Sequence, residues 1–142
     1  MHTYANTVFP QRISAQTSLS SSIAKTLQFM EQNFVEPLTL GQLAAIANLT
    51  LFRFAAVFRR EVGMPPYRYI SHLRIQQAMA LLQQGVPSAV VAAETGFFDQ
   101  SHMYRHFKRV CGITPSQFRA SIKVDSFLPA EPGTAGARVG RH

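Results

Sequence analysis

Apolar residues recur at helical spacing along most of the chain, from about residue 21 to residue 123. Ile23, Leu27 and Met30 form one such stripe, because steps of three and four residues return to the same face of a helix. Strict apolar-polar alternation and Asn-Gly or Asp-Gly hairpin turns, which would indicate strands, do not occur in this region of the sequence. The pattern therefore predicts an all-α fold.

Capping and stop signals divide this region into seven predicted helices. Thr39 and Gln42 have the spacing of a capping box before the second helix, and Pro66 suits the first turn of the fourth. Gly63 and Gly112 follow two basic helices, at the position where a glycine ends a helix most easily. The predicted helices cover residues 22–33, 40–47, 51–62, 66–84, 87–95, 100–110 and 115–122.

Two segments of the chain share one plan, in which a short helix is followed by a tight turn, a basic helix and a glycine. The first segment consists of LGQLAAIA, NLT and LFRFAAVFRREVG, and the second of PSAVVAAET, GFFD and QSHMYRHFKRVCG. Small residues in the first helix of each pair allow two helices to cross closely, as in a helix-turn-helix. The repeat therefore predicts two helix-turn-helix units joined by one long helix.

This repeat predicts five parts in the chain. They are a flexible arm at 1–20, a first helix-turn-helix subdomain at 21–65, a linker helix at 66–84, a second subdomain at 85–123 and a disordered tail at 124–142. Only about 22 residues precede the first helix, which are too few for a separate effector-binding domain. The expectation is a chain that acts alone, or one that is a fragment of a longer ancestor.

The charge balance indicates the kind of partner. Lys and Arg total 14 against 7 Asp and Glu, which gives a net charge of +7. Ten of the basic residues and three of the acids lie between residues 50 and 123, so the excess falls on the two predicted units and the helix between them. Such an excess favours an anionic partner, nucleic acid before an acidic membrane surface.

Several classes of protein do not fit the sequence. No apolar run exceeds five residues, so no membrane span is expected, and the absence of a secretory apolar stretch makes the cytoplasm the expected compartment. The single cysteine, Cys111, excludes a disulfide framework and a thiolate zinc cluster. His102 and His106 are four residues apart without a third ligand. No pattern of an active site is present, so neither an enzyme, a metal nor a cofactor is predicted.

The helical period separates a core face from an exposed face in each basic helix. The expected core residues are Phe54, Val57 and Phe58 in the first, and Met103, Phe107 and Val110 in the second. Arg and Gln can hydrogen-bond to guanine and adenine edges in the major groove, whereas Arg and Lys further along hold phosphates. The expected exposed faces consist of Phe52, Arg53, Ala56, Arg59 and Arg60, and of Gln100, Ser101, His102, Tyr104, Arg105 and Lys108.

The spacing of the two units fits the pitch of DNA. Arg53 and His102 occupy corresponding positions 49 residues apart, and the 19-residue helix predicted between them is roughly 28 Å long at 1.5 Å per residue. Major-groove faces recur about every 34 Å on one side of B-DNA. One chain can therefore place both basic helices in neighbouring grooves. The apolar face of the linker is expected to consist of Ile70, Leu73, Gln77, Ala78 and Leu81.

Residues 40–119 resemble the DNA-binding domain of the AraC family of bacterial transcription regulators. The matching stretches are LTLGQLAAIANLT, FRREVGMPPYRYI, LRIQQAMALL and GFFDQSHMYRHFKRVCGITPSQFR. The last follows the family signature of a Gly-Phe turn, an aromatic-Arg-x-Phe-Lys helix and Gly-x-x-Pro-Ser-x-Phe/Tyr-Arg. The resemblance implies two helix-turn-helix subdomains joined by a long helix. It also implies a partner in double-stranded promoter DNA and an activator that contacts RNA polymerase.

The resemblance also assigns residues to DNA contact. Base reading falls on Phe52, Arg53, Ala55 and Ala56 in the first unit, and on Gln100, Ser101, His102 and Arg105 in the second. Ala55 and Ala56 replace long polar side chains of the family, and an alanine can only touch a thymine methyl group or allow a close approach. The second unit is therefore expected to discriminate more. Phosphate contact is expected from Arg59, Arg60, Tyr104, Lys108 and Arg109.

One alternative stays open at this point. The two alanines weaken base reading by the first unit, which is compatible with a small protein-interaction module. Such a module would bind a full-length regulator of the same family, or RNA polymerase, and repress it. Capture of that partner without any shift of genomic DNA fragments would distinguish the alternative from a DNA-binding regulator.

Overall fold

The computed structural model describes residues 19–127, with side chains to residue 122. Within this range the chain forms seven helices and no strand, so the predicted all-α fold is confirmed. The helices are α1 (Ser21–Asn33), α2 (Leu40–Ala47), α3 (Leu51–Val62), α4 (Pro66–Gln83), α5 (Ser88–Glu94), α6 (Gln100–Cys111) and α7 (Pro115–Phe127).

The end of α7 differs from the prediction. The helix continues to Phe127, whereas the sequence pattern ends it near Ile122. The reason is the absence of glycine and proline from residues 116–128, so no residue there breaks the helix. The rest of the predicted tail, and the predicted arm up to residue 18, lie outside the described residues.

The capping signals act as predicted. The hydroxyl of Thr39 accepts a hydrogen bond from the Gln42 N–H at 3.1 Å, and the Gln42 side chain accepts one from the Thr39 N–H at 3.2 Å. This reciprocal pair satisfies two backbone donors that would otherwise lack partners at the start of α2. Pro66 occupies the first turn of α4, where its missing N–H costs no helical bond.

Each helix-turn-helix has its own core, and α4 contributes to both. The first core is built from buried residues of α1 to α4, including Ile23, Met30, Leu43, Phe54, Phe58 and Ile70. The second is built from α4 to α7 and includes Ile75, Leu82, Val91, Met103, Phe107 and Phe118. The core residues predicted in the two basic helices are buried, except for Val110, which is half-buried against the second core.

The predicted apolar face of α4 misses part of the second core, although Ala78 of that face is buried there. Burial runs through Ile70 to Ile75, Met79 and Leu82, whereas Gln77 is exposed. The five-residue step from Ile70 to Ile75 turns by about 140° around a helix with 3.6 residues per turn. The two cores therefore lie against different sides of α4, and a single stripe along the helix does not describe them.

In the described part of the chain, no single helix is long and apolar enough to cross a membrane. The bent pair α2 and α3, whose axes meet at 81°, passes that test only when the two helices are taken together. Leu43, Phe54 and Phe58 of this pair are buried in the first core, which accounts for its apolar composition.

Gly41 lies in the first turn of α2 without a conformational reason for a glycine. An added Cβ would meet no atom within 4 Å, and the backbone is helical. Alanine costs less conformational entropy than glycine in a helix. We expect Gly41→Ala to raise the free energy of unfolding by about 0.5 kcal/mol in chemical denaturation. A lower free energy of unfolding would contradict this account.

Candidate nucleic-acid interface

The two helix-turn-helix units are built by similar turns. In the first, Asn48 adopts the left-handed conformation (φ 60°), and the N–H of Leu49 returns to the Ala44 carbonyl. In the second, Gly96 adopts it (φ 87°), and the N–H of Phe97 returns to the Ala92 carbonyl. The second turn then has one further residue before α6, which lengthens the connection without changing how it begins.

The second helices of the two units, α3 and α6, are the two basic helices of the prediction, and both start and end in the same way. Thr50 caps α3 by accepting from the Arg53 N–H, and Asp99 caps α6 by accepting from the N–H three residues later. Left-handed glycines, Gly63 and Gly112, end the two helices. Both helices therefore present an N-terminus of fixed geometry, where the base-reading residues are predicted.

The predicted residues of α3 lie on one outward face. Phe52 is 91% exposed, and Arg53, Ala56 and the two arginines near the helix end are exposed as well. Ala55 is half-buried. At its N-terminal end this face combines one aromatic ring, one guanidinium group and short alanine side chains. It can therefore approach another surface closely but offers few hydrogen-bonding groups.

The corresponding face of α6 is more polar. Gln100, Ser101, Tyr104 and Arg105 are exposed and together line a shallow depression on the helix surface. They offer amide, hydroxyl and guanidinium groups on adjacent turns of one helix. Lys108 is exposed further along the same helix. The structure thus brings together most of the residues predicted for the second unit.

His102 occupies a different environment from its neighbours. It is half-buried, and its Nδ1 accepts a hydrogen bond from the Phe98 N–H at 3.0 Å. Its ring packs edge-on against Phe97, with centroids 5.4 Å apart. Burial and the nearby Arg105 lower the pKa of His102, so the ring is neutral at pH 7 and carries its proton on Nε2. Any contact with a base would have to use that N–H.

His106 is held by two donors. The hydroxyl of Ser71 lies 3.0 Å from Nδ1 of His106, and Nη2 of Arg109 lies 2.8 Å from the same atom. Because a guanidinium group can only donate, Nδ1 accepts and the imidazole is neutral. Arg109, which is predicted to contact phosphate, is exposed, but in this structure its guanidinium group is already hydrogen-bonded to His106.

The histidine environment makes stability depend on pH. Burial, and then the charges of Arg109, His102, Arg105 and Arg74, lower the pKa of His106 to about 4, against about 6.5 when unfolded. Between pH 6.5 and pH 4 the unfolded chain therefore binds a proton that the folded chain does not. We expect stability to fall across this window, by about 1–2 kcal/mol from His106 alone, after allowance for its partial exposure.

Denaturation of the wild type and His106→Asn at several pH values between 7 and 4 would measure this contribution. Asparagine keeps an acceptor near the position of Nδ1 but does not titrate. The variant should therefore lose less stability than the wild type as the pH falls. Equal pH profiles for the two proteins would mean that His106 is not the group responsible.

The basic residues at the ends of α3 and α6 have a second role. Arg59 and Arg60 lie in the last turn of α3, and Lys108 and Arg109 in the last turn of α6. Cations there interact favourably with the negative end of the helix dipole. Arg119 is a further basic residue of the second unit, and it donates to the Val86 carbonyl at 2.7 Å and holds α7 against the loop before α5.

The sequence prediction omitted two residues at this surface. Phe98, in the longer second turn, is 89% exposed directly before α6. Its position directly after the buried Phe97 indicates that the second turn contains one residue more than the first turn. Arg74 of α4, which is not among the predicted site residues, bonds to the chain after α1. Its partners are 38 and 40 residues away, and no local pattern reveals them.

The remaining candidate chemistry is structural. Among the described residues, no group of three or more His, Cys, Asp or Glu side chains is placed to hold a metal ion. Cys111 is half-buried with its Sγ 4.0 Å from the Met79 Sδ, and burial raises the pKa of its thiol to about 12. A thiol with so high a pKa is a poor nucleophile, so it acts as a small apolar residue.

Fold and surface together define a class of protein, a double helix-turn-helix chain in which the second helix of each unit has an exposed outer face. The helix-turn-helix domain family matches residues 43–121, which is more than half of the chain. The virulence regulon transcriptional activator VirF of Yersinia enterocolitica is 36% identical over 109 residues, covering 75% of this chain and 40% of that protein. The regulator YbfI of Bacillus subtilis is 34% identical over 84 residues, covering 59% and 30%.

Solved structures agree with these sequence relatives. The DNA-binding domain of AdpA, solved in complex with a target DNA, aligns with a TM-score of 0.70 and 26% identity over 79% of this chain and all of that chain. A regulator with an AraC-type DNA-binding domain from Chromobacterium violaceum gives a TM-score of 0.65, also with 26% identity, over 79% of this chain and 95% of that chain.

The chain therefore belongs to the AraC-type helix-turn-helix family. It spans 30–40% of the length of the two curated relatives described above.

Proposed function

We propose that this protein is a sequence-specific DNA-binding regulator of transcription that contacts DNA through α3 and α6. The observation that carries the proposal is the repeated arrangement of these helices. Each has a capped N-terminus, an exposed outer face and a basic last turn, and each packs its inner face into a separate core. AdpA, whose DNA-binding domain has the same fold, was solved with its target DNA.

The two helices would divide the contacts by position. In α6, Arg105 suits the paired acceptors of guanine, and Gln100 suits adenine. In α3, Arg53 is the one long polar side chain near the N-terminus, and Phe52 suits the methyl group of thymine. The cations in the last turns would hold phosphates, which adds affinity without sequence information. The second unit would therefore carry more of the specificity.

The linker supports insertion into adjacent major grooves. α4 has 18 residues and is about 27 Å long at 1.5 Å per residue. This length is of the same order as the groove repeat of about 34 Å. A single chain would then bind two half-sites, as a helix-turn-helix dimer does with two subunits.

The regulatory role follows from the relatives by analogy. VirF of Yersinia enterocolitica is named a transcriptional activator, and we propose activation through contact with RNA polymerase for this chain too. A promoter target places the proposed activity in the cytoplasm of a bacterial cell. No cofactor is required for any contact described above.

The dependence of DNA binding on salt tests the proposal. Each phosphate held by a cation releases counterions, so affinity falls as salt rises. With four cations at the helix ends, affinity for a duplex obtained by in vitro selection should fall on the order of 100-fold between 50 and 200 mM salt. The quadruple variant R59Q/R60Q/K108Q/R109Q should bind more weakly and show a shallower slope.

Failure to select any duplex, or affinity that is independent of both salt and sequence, would refute the proposal. The exposed Phe52 and the short Ala55 and Ala56 support the second candidate, a repressive protein-interaction module. In that case the protein should capture a full-length regulator of its family or RNA polymerase, and Phe52→Ala should abolish the capture.

A further inference from the structure

One side chain of the linker helix holds the first subdomain against the second. Nε of Arg74 donates to the carbonyl oxygen of Phe34 at 2.7 Å, and its Nη2 donates to that of Glu36 at 3.1 Å. Both carbonyls belong to the segment between α1 and α2, in the first subdomain. Two bonds from one planar, permanently charged group fix both the distance and the angle between α4 and this segment.

The same guanidinium group contacts the second subdomain. Its Cζ lies 6.0 Å from the ring centroid of Phe97, over the face of the ring. Phe97 in turn packs against two rings of α6, with centroids 5.4 Å from His102 and 5.6 Å from His106. A continuous set of contacts therefore leads from the first subdomain to the second recognition helix.

The two subdomains also meet at Gly96, where the backbones of the two subdomains approach each other directly. A Cβ added there would lie 2.6 Å from the Val35 carbonyl oxygen and 3.0 Å from Nε of Arg74. Only a glycine allows this approach. Beside it the subdomains are separated by an open cleft of about 210 Å³ that Tyr67 and Ser71 help to line, so packing there is incomplete.

We propose that Arg74 is a positioning residue that fixes the separation and angle between α3 and α6. The inference rests on the proposed function, because its consequence is a fixed spacing between two half-sites in DNA. α4 alone sets an approximate separation, whereas the contacts of Arg74 and Gly96 determine how the first subdomain is rotated about that helix. The junction therefore acts on binding through geometry and needs no contact with DNA.

Binding to duplexes with altered spacing tests this assignment. The best selected duplex and versions with one base pair removed, or one or two added between the half-sites, are compared for wild type and Arg74→Leu. The wild type should lose at least tenfold in affinity at each wrong spacing. Arg74→Leu should bind the best duplex about tenfold more weakly and discriminate between spacings by less than threefold. Arg74→Lys, which keeps the charge and a donor, should be intermediate.

Two matched controls separate geometry from charge and from backbone strain. Arg68→Leu removes a positive charge from an exposed position on the same helix, so its spacing preference should equal that of the wild type. Gly96→Ala should loosen the preference as Arg74→Leu does. Gly85→Ala should not, because Gly85 has the same positive φ of about 86° but open space around it.

A measurement without DNA distinguishes a failure of the assignment from a failure of the proposed function. Spin labels at exposed Gln32 and Ser116, in a Cys111→Ala background, report the distance between the subdomains. The distance distribution should broaden in Arg74→Leu and stay narrow in Arg68→Leu. An unchanged distribution, or a weaker binder with unchanged spacing preference, would overturn the assignment. Absence of any DNA binding by a wild type with a narrow distribution would refute only the proposed function.

Discussion

Replacing Phe107 by alanine is expected to lower the free energy of unfolding by about 3–5 kcal/mol, a large part of the stability of a small protein. Its ring is fully buried in the second core and lies 5.7 Å from the ring of Phe118. Truncation removes the apolar contacts and leaves a cavity that fixed helices cannot fill. Chemical denaturation followed by circular dichroism measures the change.

Phe98→Ala is the matched control for this substitution. Both residues are phenylalanines of the second helix-turn-helix, but Phe98 is 89% exposed. The control should change stability by less than about 0.5 kcal/mol, because little apolar surface is lost from the core. Similar losses in the two variants would mean that the second core is not packed as described.

Arg105→Ala is expected to weaken binding to the selected duplex by about 10- to 100-fold and to relax the preference at one base pair, the range for a bidentate contact with guanine. Arg105 is exposed on the face of α6 that also carries Gln100 and Ser101. Loss of its guanidinium group removes a pair of hydrogen-bond donors from this exposed face and does not disturb the buried face of α6. Selection from a randomised library gives the preference at each position.

Arg53→Ala is the control for the division of specificity between the units. Arg53 is exposed on the outer face of α3, but its neighbours on that face are alanines and Phe52. Its loss should therefore relax sequence preference less than the loss of Arg105. A larger effect of Arg53→Ala would reverse the assignment, with α3 as the main determinant of specificity.

Local signals in the sequence predicted the helices and their faces well. The Thr39 capping box and the stop at Gly63 depend on residues three or four positions apart, so they can be recognised without tertiary structure. The same holds for the burial of Phe54 and Phe58 opposite the exposed Arg53, which follows from the helical period alone.

Features that depend on distant residues could not be predicted in this way. The linker appeared to need one apolar face because its sequence gives no sign of two cores; only packing shows that Ile70 and Ile75 belong to different ones. His102 was placed by the helical period among the exposed residues. Its partial burial arises from Phe97 and from the ring of His106, which lies 4.6 Å away.

The sharing of α4 between two cores has a consequence for the modularity of this fold. The first subdomain has about 45 residues before α4, close to the lower limit for a domain that folds alone, and it completes its core with Ile70 of that helix. A hybrid protein in which one subdomain is replaced by that of a relative would therefore also need the side of α4 that packs against the replaced subdomain. Crossover points at either end of α4 should yield insoluble chimaeras, whereas grafts of outward-facing side chains alone should be tolerated.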